Sequence, residues 1–327
     1  MTATSAFLTS TSPFHQRLWA YLQERFPPLS HGLLIVSYYS SNQFLAHVLT
    51  RPGDRLEYNL GSLLGAVTLL CLFFHLRVFD EHKDFAEDSR HYPDRVLQRG
   101  LITLGHLKVL GGIAIALELL LASLWMPLGK PGALVAVLAA QAYSVLMLKE
   151  FLVSTWIRRH FLTYAVLHML IMPLFALVVF GFATGLYPWE APAWYWLYAF
   201  VGFFVTFNWE ISRKIRAPED ELEGVDSYTK IFGTFGAAYA VLLVRVIDTG
   251  MVALVGWHLG LSPWFYAVLV GLFCICLIGF LQFRLGPTRK TAKRMETYAG
   301  MYIIAFDLAL AVELGRKYGV GIAAFGE

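Results

Sequence analysis

Asp80, Asp84 and Asp88 stand four residues apart, with Glu81 and Glu87 beside them, directly after an apolar run that ends at Phe79. On an α-helix, positions i, i+4 and i+8 fall on one slowly drifting stripe, with carboxylates about 6 Å apart along the axis. Anions stacked on one face at the mouth of a membrane helix repel one another unless a cation joins them. Hydrated Mg²⁺ bridging to phosphate oxygens suits that spacing, because Mg²⁺ usually takes only one or two carboxylates per ion. On spacing alone, the run reads equally as a solvated juxtamembrane face.

The elements that must carry this stripe follow from composition. The 327 residues are 57% hydrophobic and only 15% charged, whereas soluble domains are roughly a quarter charged. Nine apolar segments approach the roughly 20 residues that a spanning helix needs. They cover 31–50, 60–79, 102–125, 132–149, 162–184, 194–212, 233–256, 264–283 and 298–317. The expected fold is an all-α polytopic membrane bundle, with a polar segment over 1–30 and one transmembrane domain over 31–327. Ser37, Ser40, Ser41, Asn42 and Gln43 interrupt the first segment, so that helix should face the bundle interior. The N-terminal stretch lacks a basic start followed by an apolar core, so no cleaved signal peptide is expected. Cys71, Cys274 and Cys276 lie inside apolar runs and read as packed, reduced thiols.

Twenty of the 26 lysines and arginines fall on one side of this helix pattern, five on the other, and Arg245 inside a helix. That alternation follows the positive-inside rule loop by loop. It places the N-terminus and the carboxylate stripe in the cytoplasm, and an odd helix count places the C-terminus opposite. The net charge of +3 gives no reason to expect a nucleic-acid partner. The two long polar loops, roughly 80–101 and 209–232, reach the same cytoplasmic side.

The first loop reads RVFDEHKDFAEDSRHYPDRVLQRG. It resembles the UbiA superfamily of intramembrane prenyltransferases, whose second helix ends in an NDxxDxxxD motif followed by an RPxRP-like stretch and a glycine. Asp80 stands where that family usually has Asn, and Glu81, Asp84 and Asp88 supply the acids. Tyr92, Pro93, Asp94, Arg95 and Val96 follow, then Gly100, with Val96 replacing the second proline. Pro93 should stop the helix. The second loop reads NWEISRKIRAPEDELEGVDSYTKIFG. Gly224 and Gly233 match the family's ending there, and Asp220 falls on its last acid. A gap-free alignment sets Arg216 on the upstream acid, while an insertion before Pro218 brings in Glu210 and Lys214. Either alignment leaves a base where the family has a second carboxylate. The same acids also read as a solvated loop. Tyr143, Ser144 and Lys149 are similar to the family's Tyr…Lys stretch at the end of the fourth helix.

The resemblance implies a UbiA-like bundle of about nine helices around a cytoplasm-facing cavity. It also implies Mg²⁺-dependent transfer of a prenyl group from an isoprenoid diphosphate to an aromatic or other electron-rich acceptor in the bilayer. Asp80, Glu81, Asp84, Asp88 and Asp220 would be the metal ligands, and all of these but Glu81 also the catalytic set. Arg95, Lys149, Lys214 and Arg216 would bind diphosphate, and Asn42, Tyr143 and His168 would line the acceptor or prenyl pocket. Read without the family, Arg90, Arg95 and Arg99 are lipid-headgroup contacts, and His75 and His168 hydrogen-bonded core histidines. A terpene cyclase on the same scaffold is the second reading, and a transporter or membrane scaffold the third. Inside the membrane, Arg245 and Asp248 should pair at i, i+3, and Glu118, Asp307 and Glu313 should face the interior.

Overall fold

An asparagine and a proline delimit the longest helix. Asn59 caps its N-terminus, accepting from the Ser62 backbone N–H, and the helix runs 32 residues to His91, just before Pro93. At 1.5 Å per residue it is about 48 Å long, against roughly 30 Å of hydrocarbon. The acidic stripe therefore begins where the apolar portion ends, and the carboxylates ride on a helical extension beyond it.

The computed structural model describes residues 8–125, 131–157, 159–221 and 226–323. An amphipathic helix, α1 (Phe14–Arg25), precedes nine further long helices among them: α2 (Pro28–Thr50), α3 (Leu60–His91), α4 (Leu104–Trp125), α5 (Gly132–Leu148), α6 (Phe161–Thr184), α7 (Ala193–Arg213), α8 (Tyr228–His258), α9 (Pro263–Leu285) and α10 (Arg289–Tyr318). Each of the nine apolar segments read from the sequence is helical. Six of these helices (α3, α4, α6, α8, α9 and α10) are long and apolar enough to cross a membrane, and α5 is a shorter apolar helix. Local chemistry explains the irregularities. Pro173 lacks the N–H that would bond to Met169, and α6 is broken at Leu170. Gly233 takes φ 72°, ψ 162° and bends α8, a conformation that disfavours any side chain.

Each helix packs on the next from α2 onward, and α10 returns to α2, closing a circuit; α6 also contacts α2 and α3. The most apolar window of α6 is 72% buried, that of α9 only 22%, so α6 is interior and α9 faces outward. Gly61 and Gly65 let α3 approach its neighbours, since a Cβ at either would overlap the rings of Trp125 or Tyr39. A short parallel strand pair, β1 (Leu56–Tyr58) and β2 (Val320–Ile322), joins the α2–α3 connection to the chain after α10. That pair lies at the end of α3 opposite its acids.

The interior charged residues singled out from the sequence each have polar partners. The whole run from Ser37 to Gln43 on α2 is buried, as its composition implied. Arg245 binds Asp248 at 2.9 Å and Asn208 at 2.7 Å, with its guanidinium 3.6 Å over the Tyr302 ring. Glu118 meets His75 at 2.7 Å and Gln141 at 2.8 Å. Asp307 accepts from Ser41 at 2.5 Å and Tyr198 at 2.7 Å, and Glu313 accepts the Ser262 backbone N–H at 2.7 Å. Cys71, Cys274 and Cys276 are free thiols.

Candidate active site

Helical drift spreads the acids of α3 over a widening arc. At about 100° per residue, Asp84 lies about 40° from Asp80, while Asp88 lies about 80° away. Asp88 is instead seven residues from Glu81, only about 20° short of two full turns. Asp84 lies midway, about 40° from Asp80 and from Asp88, so the partners rather than the angle sort the acids into two groups.

Glu81 and Asp88 turn toward the N-terminal segment. Buried Glu81 binds Nε of Arg25 at 2.6 Å, and Asp88 lies 3.6 Å from the same guanidinium. Arg95, stacked 3.8 Å over Tyr92, reaches Asp88 at 2.5 Å. Burial works against the Arg25 charge, but Glu81 and Asp88 more than offset it and raise its pKa. Asp80 instead lies 3.4 Å from Lys83 and 3.8 Å from Arg77. Exposed Asp84 forms no ion pair or side-chain hydrogen bond among the described residues.

Three elements meet beside this second group. Lys83 is nearly buried, 3.4 Å from Nε2 of His168 and 5.3 Å over the Tyr164 ring, both on α6. Nδ1 of His168 pairs with the Tyr164 carbonyl at 2.8 Å. A carbonyl only accepts, so Nδ1 carries the proton and Nε2 presents its lone pair to Lys83. At the end of α7, buried Glu210 holds Arg213 at 2.5 Å and Lys214 at 2.6 Å. Lys214 also lies 5.0 Å over Phe161 of α6, and Arg213 is within electrostatic reach of Asp80. Phe151 packs edge-on against both Tyr143 and His168, presented by a turn in which Glu150, Phe151 and Leu152 all have left-handed backbone. Such residues cost about 1–2 kcal/mol each and persist where the surroundings impose them.

Of the remaining residues named from sequence, Tyr143 touches this group through Phe151, and the others make different contacts. Asp220 binds Arg289 at the start of α10, and that guanidinium holds its carboxyl below the usual carboxylate range. Arg216 contacts the Asp220 carbonyl at 3.4 Å and the Thr229 hydroxyl through its backbone N–H. Lys149 caps the C-terminus of α5 and is exposed. Tyr143 donates to the Leu167 carbonyl at 2.7 Å, near His168. Asn42 sits instead in a buried network, donating to the Tyr38 carbonyl and accepting from Tyr195 at 3.3 Å. Gly224 lies outside the described residues. Among the described residues, no three His, Cys, Asp or Glu side chains converge as a metal cage.

Sequence reasoning passed over Lys83, Tyr164, Arg213 and Arg25. Lys83 had a signal, one helical turn from Asp80 and beside Asp84. Arg25 had none, because 56 residues separate it from Glu81.

Comparison with known proteins gives this geometry a context. The model of the UbiA prenyltransferase family matches residues 47–304. No curated protein matches the chain. Among solved structures, one determined for a digeranylgeranylglyceryl phosphate synthase is similar, with a TM-score of 0.61 and 17% identity over 92% of this chain and 99% of that one. An apo UbiA homologue from Aeropyrum pernix K1 is similar at a TM-score of 0.61 and 15% identity, over 84% of this chain and 95% of that one. With the family model spanning most of the chain, from the end of α2 into α10, this protein belongs to the UbiA prenyltransferase family.

Proposed function

We propose that the protein transfers a prenyl group from an isoprenoid diphosphate to an aromatic or other electron-rich acceptor within the membrane. The observation that carries this reading is the separate pairing of the α3 acids: among the described residues Asp84 has no ion-pair partner, while Lys83 on the same helix meets Asp80 and Arg213 of α7 is within electrostatic reach of it. Mg²⁺ fits this donor set, since it needs only one or two carboxylates when substrate phosphates complete its shell. Asp80 and Asp84 would hold it; Asp88, Glu81 and Asp220 already have arginine partners. Bound there, Mg²⁺ would supply charge neutralisation of the leaving diphosphate.

The chain's own residues do the rest. Lys214, fixed by Glu210, is the diphosphate contact we favour among the four bases named from sequence. It adjoins Arg213, which is within electrostatic reach of Asp80, and lies 5.0 Å over Phe161 of α6, whereas Arg95 reaches Asp88 from the loop after α3. Positive charge fixed where the leaving group gains negative charge favours ionisation. Tyr164, Phe161 and Phe151 offer ring faces, each worth about 0.5–2 kcal/mol to a passing cation. Nε2 of His168 is a candidate acceptor for a proton released when the acceptor attacks. All nine helices α2–α10 would cross the bilayer around a central cavity, and the basic loops would set the acidic end of α3 in the cytoplasm.

The decisive experiment incubates the purified protein with prenyl diphosphates of graded length, Mg²⁺ and candidate phenolic acceptors, with products read by mass spectrometry. Prenylated acceptor is the expected product. A cyclic hydrocarbon or alcohol formed without acceptor would move the assignment to the terpene cyclase reading, in which the chain's own double bond is the nucleophile. No diphosphate-consuming activity under any donor would remove both.

A further inference from the structure

We propose that Arg25 is a positioning residue, delivered by α1, that withdraws Glu81 from the charge balance of the site and leaves Asp80 and Asp84 as its working carboxylates. The inference rests on the diphosphate reading above and adds a residue outside the membrane bundle to it.

Three observations support it. First, Glu81 is buried, at 2% exposure, and its carboxylate is bound by Nε of Arg25 at 2.6 Å. A buried carboxylate stripped of its partner is costly, so Glu81 holds Arg25 as firmly as Arg25 holds Glu81. Second, α1 and the segment before it are fastened to the loop that follows α3 by contacts on several residues. Arg17 donates to the Leu101 carbonyl at 2.9 Å, Glu24 accepts the Val96 backbone N–H at 3.1 Å, and Arg99 donates to the Leu8 carbonyl at 3.2 Å. Tyr21 is fully buried in an apolar cluster with Val78, Val96 and Leu97. Third, Arg25 also reaches Asp88 at 3.6 Å, the acid that Arg95 holds from the loop. One guanidinium thus bridges two acids that would otherwise add their repulsion to an incoming diphosphate.

The test measures inorganic pyrophosphate binding to the full-length protein in detergent, at saturating Mg²⁺, by calorimetry. Arg25→Gln leaves the Glu81 charge uncompensated and is expected to weaken pyrophosphate about tenfold, while Arg25→Lys stays within about threefold of wild type. Arg25→Gln/Glu81→Gln removes both charges and is expected to recover to within about threefold. That recovery separates charge balance from docking, because the double variant lacks the ion pair just as the single one does. Wild-type-like binding by Arg25→Gln would overturn the proposal, and so would a double variant as weak as the single. Should Arg25→Gln fail to fold, Arg25→Lys and the double variant decide: both near wild type supports the role, and a tenfold loss in the double variant sinks it. Absence of pyrophosphate binding by the wild type would instead strike the diphosphate reading itself.

Discussion

The ion pairs within the bundle and those at the end of α3 involve the same kinds of side chain and end in opposite states. Arg245 and Asp248 are 1% and 0% exposed at the side chain, with Asn208 and Tyr302 completing the guanidinium's surroundings. His75 and Glu118 are likewise closed off and joined to Gln141. At the end of α3, Glu81 and Asp88 are matched by arginines, whereas Asp84 is open and Asp80 has only long contacts. Low dielectric makes an unmatched charge expensive inside the bundle, and Arg245 with Asp248 and His75 with Glu118 meet that cost as pairs. Past the end of the apolar segment that cost falls, and a carboxylate can be kept in reserve for a ligand. The closed pairs belong to the bundle's architecture, and the open carboxylate is the one the proposed reaction would use.

The sharpest way to break this comparison is at the interior pair. Arg245→Met should destabilise the protein by about 3–5 kcal/mol, because Asp248 is left buried and alone, whereas Arg245→Met/Asp248→Leu should recover most of the loss. Thermal unfolding in detergent measures both, and a mild single variant would erase the distinction between the regions. Asp84→Asn should do the reverse, retaining the melting temperature while lowering prenyl transfer by about 100-fold or more. Unchanged turnover at saturating Mg²⁺ would remove Asp84 from the site. Lys214→Ala should raise the KM for the diphosphate donor about tenfold, with Arg213 still holding Glu210; an effect on kcat alone would argue against ground-state contact.

The smallest effect is expected at Asp220→Asn, since Arg289 is 84% exposed and water screens the pair. Arg289 depresses the Asp220 pKa, so the pair contributes above the ordinary carboxylate pKa and is lost as pH falls through the lowered one. Asp220→Asn should thus be silent in thermal stability near neutral pH and remove only part of the wild type's acid sensitivity. A large loss of activity in this variant would return Asp220 to the metal-binding set named from sequence.

Apolar length identified the nine helices, because a run near 20 residues leaves few alternatives in a bilayer. It did not find their ends. α3 continues twelve residues past Phe79, and α10 begins nine residues before 298, at the Thr288 cap. Helix persists in charged sequence wherever caps and ion pairs support it, and a hydropathy window is blind to both. The same limit governs the site. Pairs at i and i+3, such as Arg245 with Asp248, were legible from spacing. Those of Arg25 with Glu81 and Arg289 with Asp220 join residues 56 and 69 positions apart, and no local periodicity encodes them. The spread of the acidic stripe was implicit in 3.6 residues per turn, but the arginine that takes up Glu81 comes from α1 and was not.

The strand pair β1–β2 acts like a stitch across one seam. It binds the α2–α3 connection to the end of α10, with the Arg55 guanidinium donating to the Val320 carbonyl at 2.8 Å. Helices α10 and α2, which pack together and share the Ser41–Asp307 hydrogen bond farther along, are sewn together at that rim. A bulky hydrocarbon sliding in from the side would have to part some other pair of helices, or enter nearer the opposite rim.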